Sequence, residues 1–97
     1  MPIGTLEQGK YIDYSLTKNS QQIEAPADGW FYFNSTSISD NLSNLGMNVV
    51  GGIYSVHNQT FTISQALRLI LPVKKGTKVE FEFTNMTPKV CRFLYTF

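Results

Sequence analysis

Between Lys78 and Thr84 every second residue is apolar: Val79, Phe81 and Phe83 face one way, Lys78, Glu80, Glu82 and Thr84 the other. A period of two is that of a strand with one buried face, because successive side chains leave a pleated backbone on opposite sides. The same period returns further on, where Cys91, Phe93, Tyr95 and Phe97 alternate with Val90, Arg92, Leu94 and Thr96. It is present again where Leu67, Leu69 and Leu71 alternate with Arg68 and Ile70. The nearest approach to a helix is residues 64–71, and Pro72 with the preceding Phe61-Thr62-Ile63 favours a strand there.

Turn chemistry divides the rest. Residues 11–16 and 22–25 read as short strands, separated by the turn Lys18-Asn19-Ser20 and closed by Pro26. The turn Ala27-Asp28-Gly29 launches Trp30-Phe31-Tyr32-Phe33. Four consecutive aromatics suit a central strand, covered on both faces by core or on one face by a partner. Residues 34–44 are rich in Ser, Thr, Asn and Asp and read as a long loop. The strand pattern resumes over residues 46–56, with Gly51-Gly52 as a bulge or a close backbone approach. His57-Asn58-Gln59 reads as a turn, residues 61–63 as a strand, Lys74-Lys75-Gly76 as a tight connection and Asn85-Met86-Thr87-Pro88 as a turn. About eight strands at spacings of roughly ten residues predict an all-β, antiparallel β-sandwich or jelly roll. Residues 1–97 are expected to form a single domain, with residues 1–9 as a lead-in segment. The last strand is expected to be central, since terminal residues fray unless docked in a sheet.

Composition bounds what such a domain does. Hydrophobic residues make up 42% and charged residues 15% of the chain, the latter well below the typical ~25%. A surface so poor in charge is either neutral and polar or hidden against another subunit. The net charge is +1 and no basic run exceeds Lys74-Lys75, so nucleic acid is not an expected partner. No apolar run of membrane-spanning length and no secretory signal segment is present, so membrane insertion is not expected. Cys91 is the only cysteine, which excludes an intramolecular disulfide and a cysteine-built metal site.

Catalytic constellations are weak. His57 is the only histidine, and nothing in the sequence marks a nucleophile or an orienting partner for it. Cys91 shares its strand face with Phe93 and Tyr95 and reads as a small buried hydrophobe rather than a reactive thiol. Glu80 and Glu82 project together from one strand, a pairing used in glycoside hydrolysis, but read here as a solvated face or as partners for Arg68, Arg92 or Lys78. Asp13, Asp28 and Asp40 lack the spacing of a calcium loop. Four Asn-x-Ser/Thr sequons, at Asn34, Asn41, Asn58 and Asn85, fall on segments read as loops. The expectation is therefore no enzyme, no cofactor and no metal. The polar segments 34–44 and 54–60 are the candidate ligand-binding surface, with Asn41, Asn44, Tyr54, His57, Asn58 and Gln59 offering amides and hydroxyls beside aromatic rings.

Two stretches carry a resemblance. Ile23-Glu24-Ala25-Pro26-Ala27-Asp28-Gly29-Trp30-Phe31-Tyr32-Phe33 resembles the Ala-Pro-x-Asp-Gly strand opening of tumour-necrosis-factor-like and complement-type globular heads. It resembles still more the short jelly-roll tip domains of phage tail fibres and related receptor-binding proteins. Leu71-Pro72-Val73-Lys74-Lys75-Gly76-Thr77-Lys78-Val79-Glu80-Phe81, followed by the Cys91-Arg92-Phe93-Leu94-Tyr95 strand, is similar to the same group, with Thr77 where an aspartate is usual. The resemblance implies a homotrimeric jelly roll on a virion whose distal loops meet a host surface receptor or glycan. No receptor-contact residues carry over. The aromatic strands also hold more apolar surface than one small interior easily hides. That surplus makes Phe31, Phe33, Arg92 and Leu94 the candidate oligomer interface. The alternative function is a structural trimerisation, baseplate or capsid-decoration module without a receptor.

Overall fold

Nested antiparallel pairing organises the chain as one long hairpin rolled on itself. In the computed structural model, which describes residues 10–96, β1 (Tyr11–Asp13) pairs with β8 (Met86–Tyr95) and β2 (Gln21–Glu24) with β7 (Lys78–Thr84). Inside these, β3 (Gly29–Ser37) pairs with β6 (Ala66–Val73) and β4 (Ser43–Val49) with β5 (Ser55–Thr60). The strands alternate between two four-stranded sheets of order β1-β8-β3-β6 and β2-β7-β4-β5. This is a jelly roll, the expected all-β sandwich, and β8 lies between β1 and β3 as expected. The expected lead-in (residues 1–9) and Phe97, expected on the face of Cys91 and Phe93, lie outside the described residues. No helix of the described residues is long and apolar enough to cross a membrane.

The core fills the space between the sheets. Phe31, Phe33, Leu71, Cys91 and Phe93 from one sheet meet Ile23, Leu45, Met47, Val79 and Phe81 from the other. Phe81 bridges the layers: its ring stands edge-on to Phe31 and to Phe33, each at 5.2 Å between centroids. Each such side chain withdrawn from water stabilises the fold by about 1.5–3 kcal/mol, and each edge-to-face pair adds about 0.5–1.5 kcal/mol.

Several boundaries differ from the sequence reading. β3 runs on to Ser37 and β4 starts at Ser43, so the expected loop over residues 34–44 shrinks to its middle. Ser35, Ser37 and Ser43 are buried at the end of the sandwich, where apolar periodicity had lapsed. His57-Asn58-Gln59 lies within β5 rather than in a turn, and residues 61–63 form the following loop rather than a strand. The sequons at Asn34 and Asn58 are therefore on strands. Gly51 (φ 79°) belongs to the β4–β5 turn, not to a strand bulge. The irregularity lies instead between β3 and β8: Asn34 pairs with Val90 and Ser35 with Pro88, which leaves Lys89 as the extra residue. Pro88 is accommodated beside that break in register, and Pro72 on β6, an edge strand of its sheet. The expected four-residue turn before β8 contracts to Asn85 (φ 56°).

Gly29 is needed for space rather than for a turn. A β-carbon there would run into the Leu94 carbonyl and the Phe93 ring, so only glycine lets β3 lie against β8 at this point.

Candidate functional site

The two outer faces differ in chemistry. On the β1-β8-β3-β6 sheet the outward rows are Tyr11–Leu94–Trp30–Pro72, then Asp13–Arg92–Tyr32–Ile70, then Val90–Asn34–Arg68. Tyr11 on the edge strand β1 is 46% and Ile70 on the opposite edge strand β6 is 52% exposed, large fractions for bulky side chains, and the half-buried Trp30, Tyr32 and Leu94 lie between them. Arg92 stacks over the Tyr11 ring at 4.1 Å and donates from Nε to Asp13 Oδ1 at 2.6 Å. Of the candidate interface residues, Arg92 and Leu94 lie on this face. Phe31 and Phe33 do not: both are 0% exposed and belong to the core. Four consecutive aromatics place two on each side of a strand, and it is Trp30 and Tyr32 that point outward.

The outer face of β2-β7-β4-β5 is polar throughout. Its central row is Glu82–Gly46–His57, flanked by Glu80–Asn48–Ser55 and Thr84–Asn44–Gln59. Because Gly46 has no side chain, the His57 ring lies across it; a β-carbon on Gly46 would sit 2.6 Å from His57 Cε1 and 2.9 Å from Glu82 Oε1. His57 Nε2 lies 2.9 Å from Asn48 Oδ1, an atom that only accepts, so Nε2 carries the proton. His57 Nδ1 lies 3.4 Å from Asn44 Nδ2 and 3.7 Å from Glu82 Oε1. Gln59 Nε2 donates to Asn44 Oδ1 at 3.0 Å. Asn48 Nδ2 reaches Oε1 of both Glu80 and Glu82 at 3.4 Å, which draws the two carboxylates together.

The fold thus joins His57, Asn44 and Gln59 and separates the other candidates. Tyr54 closes the β4–β5 turn, where its carbonyl accepts from Val49 N. Asn58 shares the row of inward-facing Leu45, on the other side of β5. Asn41 lies in the β3–β4 loop, its N–H held by Ser39 Oγ. The sequence does not single out Gly46 or Asn48, and Glu80 and Glu82, expected on a solvated face or beside Arg68, Arg92 or Lys78, instead meet Asn48 and His57. The alternation of β7 put both glutamates on one side; only the pairing of β4 with both β5 and β7 brings His57 to them.

Cys91 is buried, and desolvation pushes its thiol up to about 12. It backs a groove of about 200 Å³ between residues 14–16 and residues 88–90. Among the described residues no three of His, Cys, Asp and Glu come together as a metal-holding group. No family model, curated protein or solved structure matches the chain.

Proposed function

We propose that this chain is a non-catalytic head domain that assembles as a homotrimer and presents its remaining surface to a ligand, as a receptor-binding knob of a phage tail fibre or similar virion protein. The contrast between the two outer faces carries the reading. A sandwich washed by solvent on both sides exposes polar residues on both. Here one side offers Tyr11, Trp30, Tyr32, Ile70, Pro72 and Leu94 in contiguous rows. A second copy of the same chain is the fitting occupant because the face is close to neutral. Asp13 and Arg92 compensate each other, which leaves Arg68 as the uncompensated charge in these rows. A strongly charged face would repel its own copy.

Among the described residues the side chains in polar contact with His57 are the amides of Asn44 and Asn48 and the Glu82 carboxylate, a set suited to holding a ligand. Glu80 and Glu82 stand side by side on one strand of an open sheet face. Glycoside hydrolysis needs its two carboxylates on opposite sides of the bond to be cut.

Light scattering on the eluting protein tests assembly. The expected mass is three times the 11.0 kDa of one chain, and Ile70→Glu is expected to return it to a folded monomer. A wild-type chain that stays monomeric across micromolar concentrations overturns the reading. A trimer that adsorbs to no bacterial strain in a broad panel favours the structural module instead.

A further inference from the structure

We infer that the outer face of the β2-β7-β4-β5 sheet, centred on Gly46, is a binding site for a neutral saccharide with adjacent hydroxyls. This rests on reading the chain as a binding domain and names the ligand class and the site.

The first argument is order. Polar side chains on a solvated face give up rotamer freedom, about 1 kcal/mol or more for residues such as Gln and Glu, for cross-strand pairs that return only about 0.2–1 kcal/mol. Here Gln59, Asn44, His57, Asn48 and the two glutamates form one continuous hydrogen-bonded line across β5, β4 and β7. A set of donors and acceptors already held in place is what lowers the cost of ordering on binding.

The second argument is shape. Gly46 keeps the middle row low, so the His57 imidazole extends over it with Cε1 and Nδ1 where a β-carbon would stand. A pyranose can lay its C–H face on such a ring while its hydroxyls reach the groups on either side.

The third argument is the inventory of partners. Each carboxylate uses Oε1 for Asn48, which leaves Oε2 to accept from a ligand. The amides of Asn44 and Gln59 have donor and acceptor positions beyond those they spend on each other. A sugar hydroxyl both donates and accepts, so a pair of neighbouring hydroxyls matches a carboxylate beside an amide. The two carboxylates disfavour sialic or uronic acids and phosphates. A guanidinium or ammonium ligand would use the carboxylates and leave the amide donors and the ring idle.

The test uses the intact purified chain on an array of neutral oligosaccharides, their sialylated counterparts and an oligo-arginine peptide, with and without EDTA. The variants are Gly46→Ala and Glu82→Gln. In Gly46→Ala the new methyl meets side-chain atoms of His57 and Glu82 rather than backbone, so the sheet is expected to survive with these two side chains displaced. Thermal unfolding and oligomer mass are followed for each variant. The expected result is binding of neutral glycans, unaffected by EDTA, that weakens about tenfold or more in both variants, the size of one lost charge-assisted hydrogen bond. Unfolding and mass are expected to stay as in wild type.

Preference for sialylated glycans or for the peptide, a requirement for a divalent cation, or wild-type binding by a folded Gly46→Ala overturns the inference. A blank array from a protein that still adsorbs to cells removes the saccharide assignment and leaves the head reading intact. A blank array with no adsorption removes both.

Discussion

Arg92 holds Asp13 with two hydrogen bonds, Nε to Oδ1 at 2.6 Å and Nη2 to Oδ2 at 3.2 Å, and so clasps the three-residue strand β1 to β8. The hydrogen bond from Arg92 keeps the Asp13 carboxyl below the usual carboxylate range. A carboxylate whose folded-state pKa is lowered contributes stability that is full above its unfolded pKa, about 3.9, and is lost as pH falls through the lowered value. Asp13→Asn is therefore expected to melt earlier than wild type at neutral pH, with the two melting curves converging in strong acid. Melting temperature against pH checks this; a constant gap across the range contradicts it.

Ser35 and Ser37 lie two residues apart on the inward face of β3 and should respond oppositely to alanine. Ser37 Oγ donates to the Thr62 carbonyl and accepts from Gln65 N at 2.8 Å, which ties the β5–β6 loop to β3. Ser35 Oγ is buried and has no hydrogen-bond partner among the described residues. Ser37→Ala is expected to cost about 1–3 kcal/mol, since it removes both hydrogen bonds that tie the β5–β6 loop to β3. Ser35→Ala removes an orphaned hydroxyl and is expected to be neutral or stabilising by up to about 1 kcal/mol. Denaturant midpoints of the two variants decide it; equal losses would show that Ser35 is satisfied after all.

Gly29→Ala is expected to cost about 2–3 kcal/mol, at the upper end of overpacking penalties. Its methyl meets the backbone carbonyl of Leu94 and the buried Phe93 ring, neither of which can move without disturbing the β3–β8 pairing. Gly46→Ala meets the partly exposed side chains of His57 and Glu82 instead of backbone and should unfold close to wild type. Chemical denaturation of the pair gives the comparison, and similar losses at both positions would contradict the distinction.

The Cys91 thiol should resist thiol reagents at pH 8 in the native state and react fully in concentrated guanidinium, because burial holds it protonated. A thiol whose folded pKa is raised leaves stability unchanged below its unfolded pKa and erodes it above. Cys91 should thus favour the folded state up to pH of about 8.5 and progressively less as pH climbs through about 12. Cys91→Ala should flatten that alkaline decline in melting temperature. Rapid native labelling at pH 8 would contradict the burial.

Much of the architecture was readable where burial imposes a period on the residues. Lys78–Thr84 and residues 90–96 alternate because each strand packs one face on the core, and both appear as strands with those faces. β5 was missed because its residues Ser55–Thr60 are nearly all polar, and an edge strand over a solvated face has no apolar rhythm to betray it. The end of β3 was missed for a related reason: Ser35 and Ser37 are small polar residues in buried positions, and only their surroundings reveal it.

Alternation and turn residues were thus enough to establish an all-β chain of about eight strands, because the side-chain period is a property of each strand alone. They left open which aromatics of Trp30-Phe31-Tyr32-Phe33 point inward, since both parities are equally apolar, and they wrongly assigned Phe31 and Phe33 to an interface. Register and sheet order settled that question, as they settled the neighbours of His57. A strand's sequence sets which residues share a side, whereas which side is core, and which groups from other strands stand beside them, follow from pairing between residues far apart in the chain.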